Sequence, residues 1–119
     1  MVKYSNSKVY KIIGNVDNSI EYIGSTRKQY LSQRMDTHRS AYKRWKNGKG
    51  EFRTSFNVFE KYGIENCSII LLEQCDNIKT KDQLLARERY YMEQSPNCTN
   101  KMRPIISDQE RLEQVQAYQ

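Results

Sequence analysis

The sequence predicts an α/β fold, in which helices flank the central, mainly antiparallel three-stranded β-sheet of one small domain. Three short segments are rich in β-branched and aromatic residues or are continuously apolar. Two longer segments carry apolar residues at helical spacing, and turn-forming residues separate the segments. At 119 residues the chain is long enough for one modest core and too short for two.

The first two strands are predicted to form a β-hairpin. Residues 8–14, KVYKIIG, and residues 20–25, IEYIGS, flank the turn-forming sequence NVDNS. Tyr10 and Tyr22 are an even number of positions apart, so an even pairing register places both phenols on one face of the hairpin. A two-residue turn at positions 17–18 would give an odd register and different partners, and the sequence leaves both registers open.

A long helix is predicted over residues 29–46, which contain neither Gly nor Pro. Its inward stripe consists of Leu31, Arg34, Met35, His38, Ala41, Tyr42 and Trp45. Residues 47–50, NGKG, end this helix and form a flexible, positively charged connection to the next element. Three phenylalanines at helical spacing then predict a short helix over residues 53–62, which Gly63 ends.

Another strand and another long helix are predicted further along the chain. Residues 67–73, CSIILLE, are continuously apolar and of strand length, as expected for a central strand that is covered on both faces. Thr80 and Gln83 have the spacing of a capping box, which opens a helix that extends to residue 94. The inward stripe of this helix consists of Leu84, Leu85, Glu88, Tyr91, Met92 and Ser95.

Residues 1–105 are predicted to form the domain, with residues 106–119 as a short C-terminal helical tail of the same domain. Ser107 and Glu110 have the spacing of a second capping box. The helix that they open is short and polar, so it has little stability of its own.

The composition predicts an intracellular protein, cytoplasmic or nuclear, that binds a polyanion. The formal net charge is +6, and Lys and Arg side chains that neutralise phosphates release counterions. Mean hydropathy is −0.93, and neither a membrane-spanning apolar stretch nor a signal-like N-terminus is present, so no membrane partner is expected. The three cysteines are odd in number and lack CxxC spacing, which predicts free thiols.

An arginine, a histidine and a glutamate interrupt the two apolar stripes. Arg34 and His38 lie four positions apart on the first stripe, and Glu88 lies in the middle of the second. Buried charges are costly unless they are paired or bound to a ligand, so such residues mark candidate sites. The alternatives are a snorkelling Arg34, a satisfied core histidine at position 38, and a Glu88 that either forms a structural salt bridge with Arg34 or lies at the edge of its stripe between the arginines at positions 87 and 89.

Together with Tyr10 and Tyr22, these residues are sufficient for phosphodiester hydrolysis. A carboxylate holds a hard divalent cation, an arginine offers two hydrogen bonds to phosphate oxygens, and a tyrosine or histidine relays the proton. The single histidine excludes nucleases that need several, and the lack of a carboxylate cluster excludes a two-metal site. Neither the paired inward carboxylates of glycosidases nor the His-Glu-x-x-His helix of zinc peptidases is present.

The order of these motifs resembles the GIY-YIG nuclease superfamily. Lys8-Val9-Tyr10 stands where the family has Gly-Ile-Tyr, and Tyr22-Ile23-Gly24 matches its second tripeptide. LSQRMDTHRSAY looks like the family's first helix, ARERYYMEQ looks like the helix that carries its metal-binding glutamate, and NCTNK is similar to the segment that holds its asparagine. The resemblance covers residues 8–101, with the five motifs in the family's order.

The resemblance implies six catalytic residues, which are Tyr10, Tyr22, Arg34, His38, Glu88 and Asn100. Glu88 would coordinate one divalent cation, Mg²⁺ or Mn²⁺. Tyr10 would be the general base or its relay at the attacking water, and Tyr22 would position or polarise the water or the phosphate. Arg34 would stabilise the pentavalent phosphate, and His38 would assist proton transfer.

Asn100 would contact phosphate or help to hold the site together. One residue departs from the family pattern, because Lys8 replaces the first glycine. A side chain there could change how closely DNA or the second strand approaches, but no catalytic group is lost. The chain has no room for a separate DNA-binding module, so residues 47–53 and 101–119 are the candidate specificity elements.

The predicted function is therefore a divalent-metal-dependent DNA endonuclease that hydrolyses phosphodiester bonds by a one-metal mechanism. DNA is the expected partner, and no small-molecule cofactor is expected. The alternative is a non-catalytic nucleic-acid-binding module on the same fold, which the net charge of +6 favours. A third hypothesis is a structural or regulatory domain in which Glu88 and Arg34 merely pair.

Overall fold

A three-stranded antiparallel sheet organises the fold in the computed structural model, which describes residues 4–17 and 19–100. The strands are β1 (Lys8–Gly14), β2 (Glu21–Thr26) and β3 (Cys67–Gln74). The α-helices of the described chain are α1 (Leu31–Lys46), α2 (Phe56–Tyr62) and α3 (Lys81–Glu93). A single 3₁₀ turn, Ile64–Asn66, joins α2 to β3. The predicted α/β class and antiparallel sheet are confirmed.

The central strand is β1, since the strand order is β2-β1-β3. Our prediction of residues 67–73 as a central strand was wrong, because β3 is an edge strand on which Ile70 and Leu71 are exposed. A continuous apolar run does not distinguish a central strand from an edge strand that is covered on one side. Most of the fully buried strand side chains lie on β1, where Val9, Tyr10 and Ile12 are 0% exposed.

The hairpin between β1 and β2 has the even register. Tyr10 pairs with Gly24 and Ile12 pairs with Tyr22, so the two tyrosines point to the same face of the sheet. Their ring centroids are 6.3 Å apart. The alternative with a two-residue turn is excluded, because the last pair of the ladder is Ile13 with Glu21. The connection between Ile13 and Glu21 is longer than a two-residue turn, and its length is compatible with the even register.

Helices cover both faces of the sheet and produce two apolar clusters. The cluster on the α1 and α2 side contains Tyr10, Ile12, Met35, Phe56, Val58, Phe59 and Cys67. The cluster on the α3 side contains Val9, Ile23, Cys75, Ile78 and Leu84. Alternation along β1 assigns successive residues to opposite faces, which is why Val9 and Tyr10 belong to different clusters. Side chains from α1 on one face and from α3 on the other can therefore both contact residues at the end of β2.

Local sequence signals place most helix ends correctly. Thr80 and Gln83 form the predicted capping box of α3, since Thr80 Oγ1 accepts from the Gln83 amide at 3.2 Å and Gln83 Oε1 accepts from the Thr80 amide at 3.3 Å. Gly63 ends α2 with a positive φ of 87°, which favours glycine. The predicted start of α2 at residue 53 was three residues too early, and Leu85 is 37% exposed rather than inward.

The predicted domain boundary at residue 105 and the helical tail over residues 106–119 lie outside the described residues. Within the described ranges, no helix is both long enough and apolar enough to cross a membrane. All three cysteines are free thiols, as predicted.

Candidate active site

Four of the predicted site residues form one cluster on the α1 and α2 side of the sheet. Tyr10 lies on β1, Tyr22 lies on β2, and Arg34 and His38 lie on α1. Because Arg34 and His38 are four positions apart, one helical face presents both side chains to the sheet. The two remaining predicted residues, on α3 and on the segment that follows it, contact β2 itself.

The Tyr10 hydroxyl is the point where the side chains of the cluster meet. Arg34 Nε donates a hydrogen bond to it at 3.0 Å, and His38 Nε2 lies 2.6 Å from it. Tyr10 and His38 are fully buried, whereas Arg34 is half-buried. The phenol oxygen is therefore in contact with a fixed positive charge and with a group that can exchange a proton.

Tyr22 completes the cluster through ring contacts. Its ring centroid is 5.5 Å from that of His38 in an edge-on arrangement and 6.3 Å from that of Tyr10. Gly24 makes this packing possible, since a Cβ there would lie 2.5 Å from the Tyr10 hydroxyl oxygen and 2.8 Å from Tyr22 Cε2. The glycine of the second tripeptide thus leaves room for the tyrosine of the first.

His38 is held as a neutral imidazole. Burial, together with the positive charges of Arg34 and Arg53, lowers the pKa of His38 to about 3. Its Nδ1 is buried and has no hydrogen-bond partner within residues 4–17 and 19–100. A neutral imidazole can either accept the Tyr10 proton at Nε2 or donate to the phenol oxygen, depending on the tautomer.

Both phenols of the cluster are protonated at neutral pH. Burial raises the pKa of Tyr10, and the charge and hydrogen bond of Arg34 oppose this shift without reversing it. Burial also raises the pKa of Tyr22, and the negative charge of Glu88 acts in the same direction. Neither tyrosine is therefore a standing phenolate, so Tyr10 can take up a proton only if it passes its own proton onward.

Glu88 approaches β2 from the α3 side of the sheet. Its Oε1 accepts a hydrogen bond from Ser25 Oγ at 2.9 Å. Burial raises the pKa of the Glu88 carboxyl, although the Ser25 hydrogen bond and the charge of Arg34 lower it. Among the described residues, Glu88 and Arg34 form no ion pair. The structure therefore does not contain the salt bridge that we considered as an alternative.

The surroundings of Glu88 fit a site for one hard cation. Its carboxylate is half-buried, and its one hydrogen bond from the described residues comes from a neutral hydroxyl, so no positive side chain neutralises it directly. The described ranges contain no group of three or more His, Cys, Asp or Glu side chains that could hold a metal. A single carboxylate suits Mg²⁺, which keeps several waters and also binds phosphate oxygens of the substrate.

Asn100 holds β2 in place. Its Oδ1 accepts from the Ile23 amide at 3.1 Å, and its Nδ2 donates to the Ile23 carbonyl at 2.6 Å. The side-chain amide thus takes the place of a neighbouring strand on the outer edge of β2. Thr99 extends this contact, because its amide donates to the Glu21 carbonyl at 2.7 Å and its hydroxyl donates to the Thr54 carbonyl at 2.9 Å. Both polar atoms of the Asn100 side chain are thus engaged with the backbone of β2, and its predicted role in a catalytic site stays a prediction.

Three residues that contribute to this arrangement were not predicted as site residues. Ser25 contacts Glu88, buried Thr99 ties β2 to the chain before α2, and the charge of Arg53 acts on Tyr22 and His38. Strand alternation places Ser25 on the face of Ile23, which is the signal that could have found it. The other two act through contacts distant in sequence, which no local pattern reveals.

Comparison of the chain with models of known protein families, with curated proteins and with solved structures found no match.

Proposed function

We propose that this protein is a DNA endonuclease of the GIY-YIG type, which hydrolyses phosphodiester bonds with the help of one divalent metal ion. The observation that supports this most is the Tyr10 hydroxyl, which contacts both Arg34 and His38, while Glu88 lies on the other side of β2 without an ion-pair partner among the described residues. General base, phosphate ligand and metal ligand are thereby available at one strand end.

Arg34 acts on the phosphate. Its Nε is engaged with Tyr10, which fixes the plane of the guanidinium, and no carboxylate in the described chain pairs with it. The terminal nitrogens of a guanidinium can donate to two phosphate oxygens at once. The positive charge then stabilises the additional negative charge that develops as the phosphate becomes pentavalent.

The attacking water loses its proton to Tyr10, and Tyr10 passes its own proton to His38. The 2.6 Å separation between the Tyr10 hydroxyl and His38 Nε2 suits direct transfer. A neutral imidazole is required as the acceptor, which the lowered pKa of His38 ensures. The negative charge of an entering phosphate raises the pKa of His38 and so improves it as a proton acceptor. Tyr22, whose ring packs against those of both Tyr10 and His38, positions the water or the phosphate.

Glu88 would hold the divalent ion, Mg²⁺ or Mn²⁺, and Ser25 orients the Glu88 carboxylate through the 2.9 Å hydrogen bond. When bound, the ion supplies a Lewis acid that polarises the phosphate and neutralises charge on the leaving group. Before the ion binds, burial of the uncompensated carboxylate raises its pKa, which gives a cation a favourable role at this position.

The substitution Glu88→Gln tests the proposed function. Gln keeps the oxygen that accepts from Ser25 but lacks the charge needed to bind the cation. We expect supercoiled plasmid to be nicked or linearised by the wild-type protein with Mg²⁺ and not with EDTA, and the rate to fall by about 10³-fold or more in Glu88→Gln. Glu93→Gln is the matched control, since Glu93 is an exposed carboxylate on the same helix.

A rate in Glu88→Gln equal to that of Glu93→Gln would contradict the metal site. A second candidate function, a nucleic-acid-binding module without catalysis, is favoured by the net charge of +6. It predicts salt-dependent binding of duplex DNA by the wild-type protein and no cleavage with either Mg²⁺ or Mn²⁺. Assaying binding in EDTA and cleavage in Mg²⁺ on linear, branched and plasmid DNA separates the two functions.

A further inference from the structure

Lys8, which stands where the GIY-YIG pattern has glycine, makes a specific tertiary contact. Its side chain is only 8% exposed, and its Nζ donates to the Asn6 carbonyl at 2.8 Å and to the Lys28 carbonyl at 3.0 Å. Lys8 also pairs with Thr26 in the β1–β2 ladder. Backbone pairing with Lys8 therefore holds Thr26, and the Lys8 ammonium holds the segment that follows β2 at the Lys28 carbonyl. The ammonium is used inside the protein rather than on its surface.

The segment of residues 26–28, at the end of β2 and just after it, is named the basic loop. Its shape is fixed by two further contacts, since the Lys28 amide donates to Thr26 Oγ1 at 3.1 Å and the guanidinium of Arg27 lies 5.0 Å from the centre of the Tyr4 ring. The side chains of Arg27 and Lys28 are exposed. Two positive charges are thus presented to solvent on a loop that is tied down at three points.

The basic loop lines a depression of about 410 Å³ beside the candidate active site, and the lining residues are Ser25, Thr26, Arg27, Lys28 and Arg34. Two of these residues also contact the catalytic groups, because Ser25 donates to Glu88 and Arg34 donates to Tyr10. The depression is therefore continuous with the position at which a scissile phosphate would bind.

The positive charge of the depression is not neutralised by the surrounding protein. Arg27, Lys28 and Arg34 form no ion pair with any of the described carboxylates. Lys43 and Arg44, on the surface of α1, also have no described carboxylate within 4 Å, so the distinguishing property of these three cations is their position around one depression. Three cations without acidic partners around one concave surface are suited to a phosphate.

We propose that the basic loop binds the DNA phosphate next to the one that is cut, and that Lys8 is the positioning residue that holds the loop for this contact. This inference rests on the proposed function for the identity of the substrate. Arg27 and Lys28 contact the neighbouring phosphate directly, and Arg34 lies between the two phosphates. The DNA strand is thereby fixed on one side of the scissile phosphate, and this contact orients the scissile bond toward Tyr10.

The direct contacts are tested with the double variant Arg27→Ala/Lys28→Ala in the Glu88→Gln background, so that no cleavage occurs during the measurement. Binding of a short fluorescein-labelled duplex is followed by anisotropy over a series of KCl concentrations. We expect weaker binding and a decrease of about 0.9 in the slope of log K against log salt for each phosphate that the variant no longer neutralises. Lys43→Ala/Arg44→Ala, which removes two exposed charges from the end of α1, is the control.

The positioning role is tested with Lys8→Met, which keeps the aliphatic stem and removes both hydrogen bonds to carbonyl groups. In the otherwise wild-type protein we expect KM for duplex DNA to rise about tenfold while kcat falls much less, because the substitution mainly weakens binding. If Lys8→Met fails to fold, Tyr4→Leu replaces it, since this change removes the ring beside Arg27 and leaves Lys8 in place. The same rise in KM is expected.

A salt slope for Arg27→Ala/Lys28→Ala equal to that of the Lys43→Ala/Arg44→Ala control would overturn the proposed subsite. A fall of kcat in Lys8→Met at unchanged KM would overturn the positioning role. The subsite stands independently if the wild-type protein does not cleave but the double variant still loses salt-dependent affinity, and in that case only the proposed nuclease activity fails. If the wild-type protein cleaves DNA but the salt slope of Arg27→Ala/Lys28→Ala is unaltered, the proposed nuclease activity stands and only the subsite fails.

Discussion

The sheet and its helices carry two triads, each made of one glutamate, one arginine and one tyrosine. In one triad the arginine and the tyrosine donate hydrogen bonds to the glutamate, and in the other they do not. The first, named the paired triad, consists of Glu73, Arg87 and Tyr91. Arg87 donates two hydrogen bonds to the carboxylate, at 3.0 and 2.6 Å, and the Tyr91 hydroxyl donates a third at 2.9 Å. The hydrogen bonds of Arg87 are the main cause that lowers the pKa of Glu73 to about 2.

The second, named the open triad, consists of Tyr10, Arg34 and Glu88. Here the arginine donates to the phenol and not to the carboxylate, which accepts only from Ser25 among the described residues. The pKa of Glu88 is raised rather than lowered. In the paired triad the three side chains hydrogen-bond to one another and stabilise the contact of β3 with α3. In the open triad the charges of the arginine and the glutamate stay available for a ligand.

The largest expected difference between the triads is the effect of removing the arginine on cleavage. Arg34→Ala is expected to reduce kcat by about 10²–10³-fold, because the transition state loses one main electrostatic donor. Arg87→Ala, measured well below its melting temperature, should leave kcat within about twofold. A comparable fall of kcat in both variants, in single-turnover assays with plasmid and Mg²⁺, would show that the two triads do not differ in function.

Removing the tyrosine hydroxyl is expected to have the next largest effect. Tyr10→Phe keeps the ring in the core but breaks the contacts to Arg34 and His38, so kcat should fall by about 10²-fold because proton transfer is interrupted. Tyr91→Phe should leave cleavage unchanged and lower the free energy of unfolding by about 1 kcal/mol. Cleavage rates and urea unfolding of both variants test this pair, and wild-type cleavage by Tyr10→Phe would exclude its role as a relay.

The smallest expected effect is on stability, and it has opposite signs at the two carboxylates. The pKa of Glu88 is raised above its ordinary value of 4.5, so the folded state loses stability as the pH rises through that pKa. Glu88→Gln removes this cost and should raise the melting temperature at pH 7. Well below pH 4.5 the Glu88 carboxyl is neutral in both the folded and the unfolded state, and the gain should disappear.

Glu73 is expected to behave in the reverse manner. Its pKa is lowered to about 2, so its contribution to stability is fully present above pH 4.5 and is lost as the pH falls toward 2. Glu73→Gln should therefore lower the melting temperature at pH 7 and have no effect near pH 2. Thermal unfolding followed by circular dichroism across this range gives both curves. Melting temperatures that shift in the same direction at pH 7 would contradict the comparison.

The elements of the fold could be predicted wherever the signal is local. The strands β1 and β2, the helix α1 and the capping box at Thr80 follow from short-range patterns of apolar, glycine and capping residues. The position of β3 could not be predicted, because strand order depends on which long-range ladder forms. The hairpin register was undetermined for a similar reason, since the sequence does not fix the length of the connection between Ile13 and Glu21.

The candidate site could be predicted where a residue breaks its own pattern. Arg34, His38 and Glu88 are polar residues on apolar stripes, and the structure places two of them in one hydrogen-bonded cluster. Ser25 and Lys8 could not be found in this way. A serine at the end of a strand and a lysine at the start of one are ordinary surface residues in sequence, and only the tertiary contacts to Glu88 and to the Lys28 carbonyl distinguish them.

The hydrogen bonds between Asn100 and Ile23 have a consequence for biosynthesis. The two residues are separated by 77 positions, so during translation the outer edge of β2 stays without this partner until residue 100 has left the ribosome. Contacts of such sequence separation form late, because a long loop must close before they contribute. The nascent chain therefore carries all five other predicted catalytic side chains before β2 is fixed at its outer edge. The arrangement is complete only when the whole described chain has left the ribosome.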